Sequence, residues 1–155
     1  MKRHTSALLS ALVIGLATLA PPAAAEAPPE AVAAVERFHQ ALAAGDGAQA
    51  LAALDPDVVI FEAGGAELSR LEYASYHLAA DMEYVAAVQE TRVERRSGGA
   101  GDVAWVLTQS QTKGNFQGQD IAAANTETMV LHRAADGAWQ IVHIHWSSQP
   151  ETTGP

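Results

Sequence analysis

The sequence predicts an α+β domain, with helices laid on one face of a curved antiparallel sheet. Three observations predict it. Apolar residues recur at helical spacing only before about Val88. From Thr91 onward the pattern changes to β-branched runs separated by glycine-rich turns. The last of these runs, Trp139 to Ser148, carries His143 and His145 two residues apart, which suits the wall of an enclosed space.

The chain opens with Lys2-Arg3-His4, an apolar run from Ala7 to Ala20, and then Pro21-Pro22-Ala23-Ala24-Ala25. A basic start, a run too short to span a bilayer comfortably and an Ala-x-Ala end read as a secretory signal over residues 1–25, cut after Ala25. The protein is therefore expected to be exported, with the periplasm as its compartment. No other segment is apolar enough to cross a membrane. Residues 26–150 are expected to form one domain, and 151–155 a frayed tail.

Nine Lys and Arg stand against eighteen Asp and Glu, and loss of Lys2 and Arg3 with the signal takes the net charge from −9 to −11. Such an acidic surface disfavours nucleic acid and anionic lipid as partners. Cysteine is absent, which excludes disulfides, thiol chemistry and Cys-ligated zinc. The glycine-rich turns match no phosphate-cradling or dinucleotide pattern, and no cofactor is expected.

Pro28-Pro29-Glu30 suits a helix entry, and Val32, Val35, Phe38, His39 and Leu42 follow at helical spacing. Gly45-Asp46-Gly47 stops that helix, and Ala48 to Leu54 reads as a short second one. Val58 to Glu62 is a β-branched strand, and Ala63 to Ala66 a loop. Ser69-Arg70-Leu71-Glu72 is a capping box. The helix it opens, to about Val88, carries an aliphatic stripe (Leu71, Leu78, Met82, Val85) and an aromatic, polar one (Tyr73, Tyr76, His77, Ala80, Tyr84). Strands are expected over Thr91–Arg96, Val103–Thr112 and about Ile121–Arg133, with turns at Ser97–Gly101, Lys113-Gly114-Asn115 and Ala135-Asp136-Gly137.

Alternation along the last strand puts Ile141, His143, His145 and Ser147 on one face and Val142, Ile144 and Trp146 on the other. The first face is expected to look into a pocket. The second is an apolar outer face that needs a cover, which a second copy of the chain would supply.

Glu127-Thr128-Met129-Val130-Leu131-His132-Arg133, a turn at Asp136-Gly137, and Trp139 to His145 followed by Ser147 resemble the end of the association domain of calcium/calmodulin-dependent kinases. That domain belongs to the nuclear transport factor 2-like (SnoaL-like, ketosteroid-isomerase-like) superfamily. The resemblance spans roughly Ala31 to Ser148. It implies a cone-shaped, curved antiparallel sheet wrapped around the N-terminal helices and enclosing a pocket, with pairing through the outer sheet face. The superfamily hosts isomerases, cyclases, dehydratases and binders, so the fold alone assigns no chemistry.

Tyr73, Tyr76, His77, Tyr84, Glu127, His143 and His145 are the candidate pocket residues, for a small hydrophobic molecule. Three readings of them compete: a satisfied buried polar network that fixes the sheet, a ligand pocket, and a reactive site. In the reactive reading Glu62 or His145 is the base for acid–base chemistry on a hydrophobic carbonyl compound, opposite Tyr76 or Tyr84. Alternatively, His77, His143 and His145 with Glu62 bind zinc or copper. Trp105, Trp139 and Trp146 are expected in the core or a dimer interface, and His39 and His132 on the surface or in helix packing. Arg92, Arg95 and Arg96 read as a solvated edge.

Overall fold

The structure, a computed structural model, describes residues 25–151; the expected signal segment and tail lie outside them apart from Ala25 and Glu151. Two helices come first, α1 (Pro29–Ala43) and α2 (Gly47–Ala52), followed by a hairpin of β1 (Leu54–Glu62) and β2 (Gly65–Glu67). Helices α3 (Arg70–Tyr76) and α4 (Leu78–Ala87) lead into four long strands, β3 (Val88–Ala100), β4 (Val103–Phe116), β5 (Gln119–Arg133) and β6 (Trp139–Pro150). They form one six-stranded sheet in the order β2-β1-β6-β5-β4-β3, curved around the helices and not closed into a barrel. All neighbours run antiparallel except β1 and β6, which are parallel, so the sheet is mixed.

Local chemistry accounts for most boundaries. Pro29 and Glu30 occupy the first turn of α1, and its C-terminus is closed by Gly45 at φ +68°, with the Asp46 amide donating back to the Ala41 carbonyl at 2.8 Å. Ser69 caps α3 by accepting from the Glu72 amide.

Two expected turns fall later in the chain: the β3–β4 reversal is at Gly101-Asp102, the end of the expected Ser97–Gly101 span, and the β4–β5 reversal is at Gln117-Gly118, beyond Lys113–Asn115. Gly98 lies within β3 because a Cβ there would meet the Trp105 indole at 2.4 Å. Gly114 lies within β4, where a Cβ would meet the Ala87 carbonyl oxygen at 2.5 Å. Both glycines serve close approach rather than chain reversal. The expected loop at Ala63–Ala66 is the tip of the β1–β2 hairpin, with Ala63 and Gly64 both at positive φ.

The expected long third helix is broken at His77, where φ −125° and ψ −40° leave helical geometry. The His77 ring bonds to carboxylates of the β1–β2 hairpin at this point. The aliphatic stripe does not run through the break: Leu71 of α3 is 76% exposed, while Leu78 of α4 is buried; within α3, Tyr73 is buried and Tyr76 exposed.

The inner sheet face grades from apolar to polar along the strands. On β4 it reads Ala104, Val106, Thr108, Ser110, Thr112; on β5 Leu131, Met129, Glu127, Asn125; on β6 Ile141, Ile144, Trp146, Ser148. Helix α1 lays Ala31, Ala34, Val35 and Phe38 on the apolar end, which makes the core. The polar end is left to face a cleft.

Candidate functional site

One residue sets which side chains reach that cleft. Leu131 pairs with Ile141 but Val130 with His143, so Val142 is an extra residue in β6, a β-bulge. A single inserted residue reverses the parity of every position beyond it. Ile141 faces inward before the bulge; after it Ile144 and Trp146 face inward, and His143 and His145 face outward.

This corrects the expected faces of the strand. His143 and His145 line no inner pocket: the His143 Nδ1–H donates to the Val59 carbonyl at 2.8 Å, and both rings stand edge-on to Phe61 on the outer face. Trp146 is no interface ring but stacks on Phe38 of α1, ring centroids 6.4 Å apart.

The cleft holds about 130 Å³ and is lined by Glu62 of β1, Asp81, Tyr84 and Val85 of α4, His39 and Leu42 of α1, and the polar inner residues of β4, β5 and β6. Two groups of titratable side chains border it.

The deeper group centres on Glu127. Its Oε2 accepts from His39 Nε2–H at 2.8 Å and from the Trp146 indole N–H at 2.9 Å. Its Oε1 is buried and has no hydrogen-bond partner among the described residues. Burial pushes the Glu127 carboxyl up, but the His39 bond and charge, the Trp146 bond and the nearby Arg95 outweigh it and hold it below the ordinary carboxylate value. His39 moves the complementary way. Burial opposes its charge, yet the bond and charge of Glu127, with Glu90, raise its pKa above 6.5.

The second group sits toward the β1–β2 hairpin. Both His77 nitrogens face carboxylates: Nδ1 lies 2.9 Å from Glu67 Oε1, and Nε2 lies 3.1 Å from Glu62 Oε2 and 3.4 Å from Asp81 Oδ1. The Tyr73 hydroxyl donates to Asp81 Oδ2 at 2.7 Å. Burial opposes the His77 charge, but Asp81, Glu67 and Glu62 raise its pKa and favour the imidazolium. Burial and the Asp81 charge raise Glu62, with His77 acting against them. Burial also raises Asp81, against the Tyr73 bond and His77. Among the described residues, Glu62, His77 and Asp81 can each offer one ligand atom within 4.8 Å of the others.

Of the residues expected in the pocket, Glu62, Tyr84 and Glu127 line the cleft. Tyr73 and His77 stand behind Asp81 and Glu62, while Tyr76, His143 and His145 lie elsewhere. Without His143 and His145, the zinc or copper set of four does not assemble. His39 was expected as a surface or packing residue; its signal was present, an imidazole inside the core-facing stripe of α1. Arg92 and Arg95 are not simply a solvated edge either. Both pair with Glu36 of α1, and the Arg95 Nε–H reaches Thr108 Oγ1 at 3.2 Å.

The SnoaL-like domain model matches residues 32–151. The chain belongs to the SnoaL-like family. A candidate ketosteroid isomerase from Shewanella frigidimarina is 38% identical, with 76% of this chain and 94% of that one covered and a TM-score of 0.74. The kinase II hub of S. rosetta (21% identical, 79% and 98% covered, TM-score 0.67) shares the fold, as does a nuclear transport factor 2-like protein of unknown function from Pseudomonas putida (20%, 79% and 86%, 0.63). No curated protein matches the chain significantly.

Proposed function

We propose that this SnoaL-like protein is an exported, homodimeric small-molecule-binding domain whose ligand occupies the cleft beside Trp146 and Glu127. The observation that carries the reading is the buried, unpartnered Oε1 of Glu127. Folded proteins leave few buried acceptors unmet, so an orphan on a residue that borders the cleft supports a donor that arrives with a ligand. About 130 Å³ is small against the roughly 300–1,000 Å³ of drug-sized sites, so the ligand is compact rather than steroid-sized. Leu42, Val85, Tyr84 and Trp146 supply apolar contact.

A thermal-shift screen of compact alcohols, amines and carbonyl compounds, with native mass spectrometry of the purified protein, tests this. Stabilisation by a compound, abolished by Ser148→Trp at the polar end of the cleft, is the expected result. A screen without any shift and a protein that carries nothing would refute it.

Acid–base catalysis is the second reading, favoured by Glu62. It lines the cleft beside His77, and burial with the Asp81 charge raises its pKa, the direction that makes a carboxylate a better base. The isomerase name of the Shewanella relative points the same way. Glu62→Gln should then abolish turnover of a compact carbonyl substrate with little change in melting temperature.

The metal reading rests on a different set from the one first expected, namely Glu62, His77 and Asp81. Near-stoichiometric metal by elemental analysis, lost in His77→Ala, would support it.

For the dimer, the supporting surface is the outer sheet face, where Phe61, His145, Thr128 and Leu107 lie in register across four strands. Phe61 is 43% and Leu107 38% exposed. Light scattering of Phe61→Glu/Leu107→Glu should give a monomer. Export rests on the sequence of residues 1–25, and N-terminal sequencing of the periplasmic fraction checks it.

A further inference from the structure

The orphaned Oε1 of Glu127 asks for a donor, and the rest of the cleft says what kind. Glu62, Asp81, Glu90 and Glu127 all line it, and His39 is the sole basic side chain among the described lining residues. His39 is already engaged by Glu127 Oε2. His77, behind the wall, is shared among Glu62, Glu67 and Asp81. Carboxylates therefore outnumber the cations available to them.

An anionic ligand would be repelled by that surplus. A neutral alcohol would gain one hydrogen bond at Oε1 and nothing from the surrounding charge. A cation gains at Oε1 and from each neighbouring carboxylate, in a site where partial exclusion of water strengthens the attraction. The acidic chain as a whole also raises the local concentration of cations.

The walls favour an organic cation over a hydrated inorganic one. The Trp146 and Tyr84 rings line the cleft, and ring faces attract ammonium groups. The Ser110 hydroxyl oxygen on the inner row of β4, which takes the Asn125 amide N–H at 3.5 Å, has a second lone pair for a further N–H bond. Leu42 and Val85 give an apolar body somewhere to lie.

Resting on the small-molecule reading above, we propose that the cleft binds a compact organic ammonium ion, a primary or secondary amine that donates to Glu127 Oε1 with its apolar body against Trp146.

Three probes of nearly one shape separate the possibilities: benzylamine, benzyl alcohol and benzoate, titrated calorimetrically into the purified protein at neutral pH. Benzylamine is expected to bind at least about tenfold more tightly than benzyl alcohol, with benzoate not binding. Glu127→Gln, which keeps the shape and removes the charge, should weaken benzylamine by about tenfold or more while the protein still melts cooperatively. Glu90→Gln, which leaves Oε1 untouched, should weaken it by about threefold.

Equal binding of benzyl alcohol and benzylamine would overturn the cation assignment and leave the small-molecule reading intact. Unchanged benzylamine affinity in Glu127→Gln would overturn the assignment of the site. Silence from all three probes, together with a blank thermal-shift screen, would overturn both.

Discussion

The two acid–imidazole groups of the cleft contain the same residue types and behave in opposite ways. Glu127 is the more deeply buried carboxylate, yet it is held below its ordinary pKa, whereas the half-buried Glu62 is pushed above it. The difference lies in the neighbours. Glu127 faces donors only: His39, the Trp146 indole and, further off, Arg95. Glu62 shares one imidazole with Glu67 and Asp81, so its nearest charges are mostly of its own sign. Burial alone does not decide whether a carboxylate stays ionised; the count of donors against acceptors does. The deep group favours the ionised carboxylate, and the hairpin group disfavours it.

The largest effect on this contrast should come from deleting Val142. Without the bulge, Ile144 and Trp146 turn outward and His143 and His145 enter the core, so Glu127 loses its indole donor and Phe38 its stacking partner. No cooperative melting transition is expected by circular dichroism, and a folded deletion protein would show that the bulge does not set the faces.

Next comes His39→Ala. It leaves the Glu127 charge buried with one donor fewer, which should cost about 3 kcal/mol in urea denaturation. His77→Ala in the more exposed group should cost about 1 kcal/mol or less. Similar losses would erase the distinction between the groups.

The pH dependence should have opposite sign at the two carboxylates. Glu127 has a lowered folded pKa, so its stabilisation is present above the ordinary 4.5 and is lost as pH falls through the folded value. Glu62 has a raised one, so its contribution is present at low pH and is lost as pH rises through the folded value. His39, raised above 6.5, lets its share of the deep pair's stabilisation go as pH rises through its own folded value. Melting temperatures between about pH 3 and 6 should therefore show Glu127→Gln falling further behind wild type as pH rises, and Glu62→Gln gaining on it. Parallel curves would contradict the assigned neighbours.

The smallest effect is expected from His143→Ala with His145→Ala. Ligand shifts in the cleft should be unchanged and the stability loss should stay within about 1 kcal/mol, because only the Val59 carbonyl loses a side-chain partner.

How far each part was legible follows from the range of the interactions that set it. The serine cap at Ser69, the proline entry of α1, the helix stop at Gly45 and the β-branched character of the later strands are local, and each stands where the pattern predicted. The SnoaL-like likeness, carried by Glu127 to Ser147, was legible for the same reason: it is a string of residues. Glu62, Tyr84 and Glu127 were recognisable as wall candidates from their positions on regular elements.

What failed was parity and phase. Period-two reasoning along β6 was sound up to Ile141 and inverted beyond Val142, since a bulge is registered only against the partner strand. Period-3.6 reasoning across Ser69 to Val88 was undone at His77, where carboxylates of the preceding β1–β2 hairpin hold the ring. The bonds of His39 and Trp146 to Glu127 were not legible, because that shared partner lies 88 and 19 residues away.

The sequence by itself thus determined the kinds of elements, their order and the family, because those depend on propensities and short-range patterns. Tertiary structure alone decided which face each histidine took and which carboxylate has its pKa lowered rather than raised. Strand register and the packing of α1 on the sheet bring groups together that no local pattern relates.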